Sequence, residues 1–159
     1  MRNTLMMLAA SLMLLALNPE ARAAEGALEI NPLCVASGCF AGDNPGFPVE
    51  IASPGHYVLT GNLDVTGESS PENVTAIRVR VSGSNSTLDL NGFTIRGPVS
   101  CSGGPPVTGC SPAVGSGDGV LVENNTSVSI CNGAIIRMGD EGIFCPLGTS
   151  CELSSLRLE

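Results

Sequence analysis

The segment GDGVLVENNTSVSICNGAII, residues 117–136, contains two short runs of alternating apolar residues followed by an Asn-Gly pair. A second Asn-Gly pair occurs earlier in the chain, in STLDLNGFTIRGP at residues 86–98. Alternation of apolar and polar residues with a period of two indicates half-buried β-strands. Asn and Gly tolerate the left-handed backbone that tight turns use. Both segments therefore predict short strands joined by tight turns.

These short strands recur at a regular spacing. Gly119-Val120 has its counterpart in Gly142-Ile143, 23 residues further on, and the two Asn-Gly pairs are 41 residues apart, or 20 once the 21-residue insertion at 97–117 is set aside. A period in the low twenties, built from three short strands, is typical of one coil of a parallel β-solenoid, in which equivalent strands stack along an axis. The alternative is a β-sandwich, because Leu88–Ile95 taken alone would form an antiparallel hairpin with an Asn-Gly turn.

Residues 1–23 have the pattern of a secretory signal peptide. Arg2 supplies the positive charge, residues 5–17 form an uncharged apolar run, and Ala21-Arg22-Ala23 places small residues at a cleavage site. The apolar run is shorter than the roughly 20 residues that span a bilayer. We therefore predict an exported protein, periplasmic or extracellular, with no membrane span after signal cleavage.

The mature chain divides at about residue 54. Residues 24–54 lack strong periodicity and contain four prolines, which predicts an N-terminal cap segment. Residues 55–159 carry the alternating runs and predict parallel β-helix coils, interrupted by the Gly/Pro/Ser-rich insertion at 97–117. Because the last residues stop in the middle of a coil, we expect a C-terminally truncated protein that self-associates through its uncapped last coil.

The composition excludes one class of partner. The chain has 15 acidic residues, seven arginines and no lysine, for a formal net charge of −8. Proteins that bind nucleic acid need clustered Lys and Arg to contact phosphates, so we predict no nucleic-acid partner.

The cysteines agree with export. Three pairs lie close together in turn-rich segments, which favours local disulfides in an oxidising compartment: Cys34 with Cys39, Cys101 with Cys110, and Cys145 with Cys151. This pairing rests on proximity along the chain alone, since six cysteines allow fifteen connectivities. The alternative is a metal site, but there is no CxxC motif and His56 is the only histidine. We therefore expect no metal and no cofactor. Cys131 remains unpaired and is expected to be a buried small hydrophobe.

Four runs carry a resemblance to a known group of proteins. They are PGHYVLTGNL (54–63), TAIRVRV (75–81), STLDLNGFTIRGP (86–98) and GDGVLVENNTSVSICNGAII (117–136). Over residues 28–158 the chain resembles exported bacterial right-handed parallel β-helix proteins of the pectate-lyase-like superfold. That resemblance implies a right-handed parallel β-helix and makes polysaccharide the commonest ligand class. A fold resemblance alone is a weak guide to activity.

The chemistry of related enzymes is not evident in this sequence. The Asn-Thr-Asp, Asp-Asp and Gly-His-Gly motifs of polygalacturonase-like hydrolases do not occur, so no catalytic residue is assigned. Arg78 and Arg80 share the polar face of one strand and Arg96 ends another, and a pair of arginines can hold a sugar carboxylate. We therefore expect a binding or structural module that contacts polysaccharide. The alternative is a polysaccharide lyase or glycoside hydrolase whose active site is incomplete in this chain.

Overall fold

The computed structural model describes residues 26–83, 85–104, 107–123 and 126–159, so the predicted signal peptide at 1–23 lies outside the described residues. The described chain is mostly β. Its strands are β1 (Ala27–Ile30), β2 (Val49–Ile51), β3 (His56–Leu59), β4 (Leu63–Asp64), β5 (Ile77–Val79), β6 (Asn85–Asp89), β7 (Thr94–Arg96), β8 (Ser100–Ser102), β9 (Gly109–Ser111), β10 (Val120–Val122), β11 (Ser127–Ile136), β12 (Ile143–Phe144) and β13 (Ser150–Leu158). The helical elements are α1 (Pro32–Val35) and a 3₁₀ turn at Pro71–Asn73. In the described ranges, no helix is long and apolar enough to cross a membrane.

The larger sheet, sheet 1, contains seven strands that pair in parallel. Its order is β1-β3-β6-β11-β7-β4, and β13 pairs with β11. Strand β11 is long enough that its first part pairs with β6 and its last part with β7. Strands β6 and β7 therefore both pair with β11, one after the other along its length. The antiparallel hairpin that Leu88–Ile95 would form alone does not occur.

The smaller sheet, sheet 2, is also parallel and has the order β12-β10-β5-β2. Its register aligns Val49 with Ile77, Ile77 with Val120, and Val120 with Ile143. The last pair confirms the equivalence that the repeat in the sequence predicted. Because all these strands run the same way, each inward-facing residue stands beside its equivalent in the next strand.

The Asn-Gly pairs occupy equivalent turns. Asn91 and Asn132 both have left-handed backbones, with φ of 49° and 60°. The Gly92 amide donates to the Asn132 carbonyl at 2.6 Å. Ser155, at the corresponding point of β13, has φ of 53°. A left-handed residue thus recurs at the point where sheet 1 bends between its two parts, which explains why Asn occurs there.

The core lies between the two sheets and is built from stacked apolar residues, most of them aliphatic. Tyr57, Leu88 and Ile130 are register neighbours, and each is at most 1% exposed. Their next neighbour, Leu153 in β13, is 47% exposed. Within the described residues β13 pairs only with β11, so the stack is open on this side.

Two segments adjoin or interrupt the repeating strands. The segment at 24–54 contributes β1 and β2 to the two large sheets, so its strands continue the regular pairing. The insertion at 97–117 contains a small antiparallel hairpin of β8 and β9, in which Cys101 stands opposite Cys110. The hairpin forms a separate two-stranded sheet, so it adds no strand to the two parallel sheets.

The three local cysteine pairs form disulfides: Cys34–Cys39, Cys101–Cys110 and Cys145–Cys151. Cys131 is free, but the expectation that it is buried in the core was wrong. It is half-buried on the outer face of β11, because Ile130 beside it points inward and successive side chains alternate across a strand. Burial raises the pKa of the Cys131 thiol, and the nearby Asp89 charge adds to this.

Candidate functional site

The outer face of sheet 2 carries a row of four side chains. Glu50, Arg78, Leu121 and Phe144 are successive register neighbours on β2, β5, β10 and β12. Each follows an inward-facing aliphatic residue, so the alternation of the strand turns it outward. The row changes from charged to apolar along the sheet, which creates an amphipathic surface.

Glu50 joins the two arginines that the sequence singled out. Arg78 Nη1 donates to Glu50 Oε1 at 3.0 Å, and Arg80 Nε lies 2.9 Å from Glu50 Oε2. Arg78 Nε also lies 3.7 Å from Oε1 of Glu123. Of the four groups, Glu50 is the buried one, with 8% of the residue exposed. The buried carboxylate of Glu50 therefore orients the more exposed guanidinium groups of Arg78 and Arg80.

The backbone around Glu50 is held as well. The Glu50 amide donates to Asp43 Oδ1 at 2.8 Å, so Asp43, in the segment before β2, holds the strand backbone in place at Glu50. The contact between Arg80 and Glu50 Oε2 has ion-pair distance without hydrogen-bond geometry, and Oε2 is buried with no hydrogen-bond partner within the described residues. This second contact is weaker than the Arg78 hydrogen bond, because alignment strongly affects hydrogen-bond strength.

A groove of about 440 Å³ runs beside this cluster, and we call it the sheet-2 groove. Its walls combine charged, hydroxyl and apolar side chains: Arg80, Ser82, Leu121, Val122, Glu123, Phe144 and Pro146. The side chains of Arg80 and Glu123 are 48% and 44% exposed, and Phe144 is 39% exposed. The groove thus offers hydrogen-bond donors and acceptors beside an accessible aromatic ring, which suits a ligand with both hydroxyl groups and C–H faces.

Arg96 is not part of this cluster. It lies at the end of β7 in sheet 1, where Nη1 is 4.0 Å from Asp64 Oδ2. Burial acts to raise the pKa of Asp64, but hydrogen bonds from Thr66 and the Arg96 charge outweigh it and lower the pKa. The structure therefore brings together Arg78 and Arg80, and places Arg96 elsewhere.

The disulfide insertion borders a different groove, of about 510 Å³. Cys101 and Val114 contribute from the insertion, and Arg137 and Asp140 from the turn after β11. This groove is the larger of the two, but it has no buried ion-pair network comparable to that of Glu50 among the described residues. We therefore take the sheet-2 groove as the better candidate site.

Three carboxyl groups lie close together at the turn before β10. Asp118 is 7% exposed, and its Oδ1 accepts from the Glu141 amide at 3.2 Å. Burial raises the pKa of Asp118, and the charges of Asp140 and Glu141 raise it further. Asp118 lines neither groove. Among the described residues, no group of three His, Cys, Asp or Glu side chains could hold a metal ion.

Three residues of the candidate site were not assigned to it from the sequence: Glu50, Glu123 and Phe144. Glu50 stands between Val49 and Ile51, and a single charged residue between two inward-facing residues was a usable signal. The pairing of Glu50 with Arg78 could not be predicted from the local sequence pattern. The two residues are distant in the chain, and their contact depends on which strands become neighbours.

No protein family model, no curated protein and no solved structure matches the chain.

Proposed function

We propose that this chain is an exported right-handed parallel β-helix protein of the pectate-lyase-like type that binds polysaccharide at the sheet-2 groove. The parallel register of both large sheets supports this fold over an antiparallel sandwich. The equal offsets between β10 and β12 and between β11 and β13 support a repeating coil. The three disulfides are typical of exported proteins and support the signal-peptide prediction.

The observation that carries the binding proposal is the composition of the sheet-2 groove. Arg80 and Glu123 contribute exposed polar groups to the groove, and Phe144, the register neighbour of Leu121, contributes an exposed ring. Sugars present hydroxyl groups around their edges and C–H groups on their faces, so they match a mixed surface of this kind.

The carboxyl groups support binding better than catalysis. Most glycoside hydrolases need one carboxylic acid and one carboxylate placed on either side of the bond that is cut. The carboxylates of Glu50 and Glu123 both form ion pairs with Arg78, and of the two only Glu123 lines the sheet-2 groove. Asp118 has the raised pKa that a general acid needs, but it lies outside the groove. The enzyme alternative therefore receives less support.

Affinity gel electrophoresis tests the proposal. The purified protein, with its disulfides intact, is run through gels that contain different soluble polysaccharides, and the same polymers are assayed for reducing ends and unsaturated products. We expect retardation in at least one polymer without turnover. Arg80→Ala should lose the retardation, whereas Arg96→Ala should keep it, since Arg96 has a similarly exposed and ion-paired side chain on the other sheet. Product formation would establish the enzyme alternative, and no retardation in any polymer would leave a purely structural role.

A further inference from the structure

We infer that the sheet-2 groove takes an uncharged polysaccharide rather than a uronate polymer; this inference rests on the proposed function and names the ligand class of the same site. It reverses the simplest interpretation of two neighbouring arginines, which would pair them with the carboxylates of an acidic sugar. Three features of the structure lead to this reversal.

The first feature is that the charges of the arginines are already matched within the site. Arg78 contacts both Glu50 and Glu123, and Arg80 contacts Glu50. The two arginines and two glutamates therefore carry no formal net charge together. An incoming carboxylate would have to compete with Glu50, which is buried and held in place through its backbone amide by Asp43. A carboxylate that is already positioned binds these arginines without the loss of freedom that a mobile ligand undergoes.

The second feature is the charge of the whole chain. Its formal net charge is −8, and the chain contains no lysine. A polyanion approaching the groove therefore meets a repulsive long-range field, which acts over a Debye length of about 8 Å at physiological ionic strength. An uncharged polymer is not affected by this field.

The third feature is what remains available to a ligand at the groove surface. The Glu123 carboxylate is 44% exposed and can only accept hydrogen bonds, and the Arg80 guanidinium is 48% exposed and can only donate them. A sugar hydroxyl donates and accepts, so it satisfies both groups. Phe144, 39% exposed, adds an aromatic face against which the C–H face of a sugar ring can pack. Uronate carboxylates would satisfy Arg80 but would be repelled by Glu123.

Binding is measured by affinity electrophoresis with two polymer classes at about 20 mM and about 200 mM NaCl, two ionic strengths that screen charges very differently. The uncharged probes are hydroxyethyl cellulose and galactomannan, and the anionic probes are polygalacturonate and alginate. We expect retardation by at least one uncharged polymer, with the same strength at both salt concentrations, and no retardation by the anionic polymers.

Two variants of Phe144 test the contribution of the ring. Phe144→Ala should weaken binding to the uncharged polymer by about tenfold, since it removes the apolar platform. Phe144→Leu keeps most of the apolar volume, should fold even if the alanine variant does not, and should still weaken binding because the flat ring is gone. Leu33→Ala, on α1 and 87% exposed, should bind like the unchanged protein.

The possible results separate the inference from the proposed function. Retardation that is stronger in polygalacturonate or alginate, falls at the higher salt concentration and is lost in Arg80→Ala would overturn the inference while polysaccharide binding stands. Unchanged binding by Phe144→Leu would also overturn it, because the ring would then have no role. The absence of retardation by all four polymers would reject the proposed function itself.

Discussion

Replacing Glu50 by glutamine tests whether this residue holds the charged cluster of sheet 2 together. The substitution preserves the size of the side chain and removes its charge. In the structure, Glu50 accepts one hydrogen bond from Arg78 at 3.0 Å and makes a 2.9 Å ion-pair contact with Arg80. Both arginines would lose the negative charge of their buried partner at once.

The expected loss of stability follows from the exposure of each partner. A hydrogen bond to a charged group contributes about 1.5–3 kcal/mol. The side chains of Arg78 and Arg80 are 32% and 48% exposed, so solvent screens the lost interactions and can rehydrate both guanidinium groups. The loss should therefore stay below the about 3–5 kcal/mol observed when a fully buried pair is broken. We expect Glu50→Gln to lower the free energy of unfolding by about 2 kcal/mol.

Urea unfolding of the oxidised protein at neutral pH, followed by circular dichroism, measures this change. The matched control is Glu159→Gln, since Glu159 makes a 2.9 Å ion pair with Arg157 in which the two side chains are 55% and 65% exposed. An exposed pair of this kind contributes little, so the control should change the free energy of unfolding by less than about 0.5 kcal/mol. The slope of the free energy against urea should be unchanged in both variants if the compactness of the two states is preserved.

The reasoning would be refuted by equal losses in Glu50→Gln and Glu159→Gln. That result would mean that the Glu50 carboxylate contributes no more than a surface charge, and the ordered arrangement of Arg78 and Arg80 would need another cause.

Two further predictions concern the core and the acidic turn. Leu88→Ala should lower the free energy of unfolding in urea by about 2–5 kcal/mol, because Leu88 is fully buried between Tyr57 and Ile130. The control Leu147→Ala, at a residue 99% exposed, should leave it nearly unchanged. Similar losses in the two variants would contradict the described core. For Asp118, burial raises the pKa in the folded state, so its ionisation costs stability above that pKa and this cost disappears as the pH falls through it. Asp118→Asn should therefore be more stable than the unchanged protein at pH 7. Denaturation curves of the two proteins, measured in parallel, should show this difference shrinking towards acidic pH. A variant that is less stable at pH 7 would show that the fold favours the charged form of Asp118.

Much of the local structure was predictable from particular residues. The alternation in TAIRVRV indicated a strand with Ile77 and Val79 inward, and both are fully buried in β5. The Asn-Gly pairs indicated tight turns, and the two asparagines do have left-handed backbones. These features depend on neighbouring residues along the chain, so the sequence carries them directly. Cys131 shows a signal that was present but not used, since the same alternation turns it outward.

The candidate site was only partly predictable. Arg78 and Arg80 were identified because they share one strand and one face of it, but Arg96 was grouped with them and lies on a different sheet. Glu50 and Phe144 were not identified, because their importance comes from standing beside the β5 and β10 side chains in the folded sheet. Contacts between residues so far apart in the chain depend on strand register, which no local pattern specifies.

The sequence by itself therefore determined many of the strands and turns and the acidic character of the chain, since each depends on composition or on residues close together in the chain. It favoured the local cysteine pairs, and the structure established their connectivity. The tertiary structure decided which side chains share a surface. Parallel pairing brings Glu50 beside Arg78 and Phe144 beside Leu121, although the members of each pair belong to different strands that are distant in the chain. This pairing placed the two arginines, which by themselves suggested an anion site, in a charge-balanced cluster with Glu50 and Glu123.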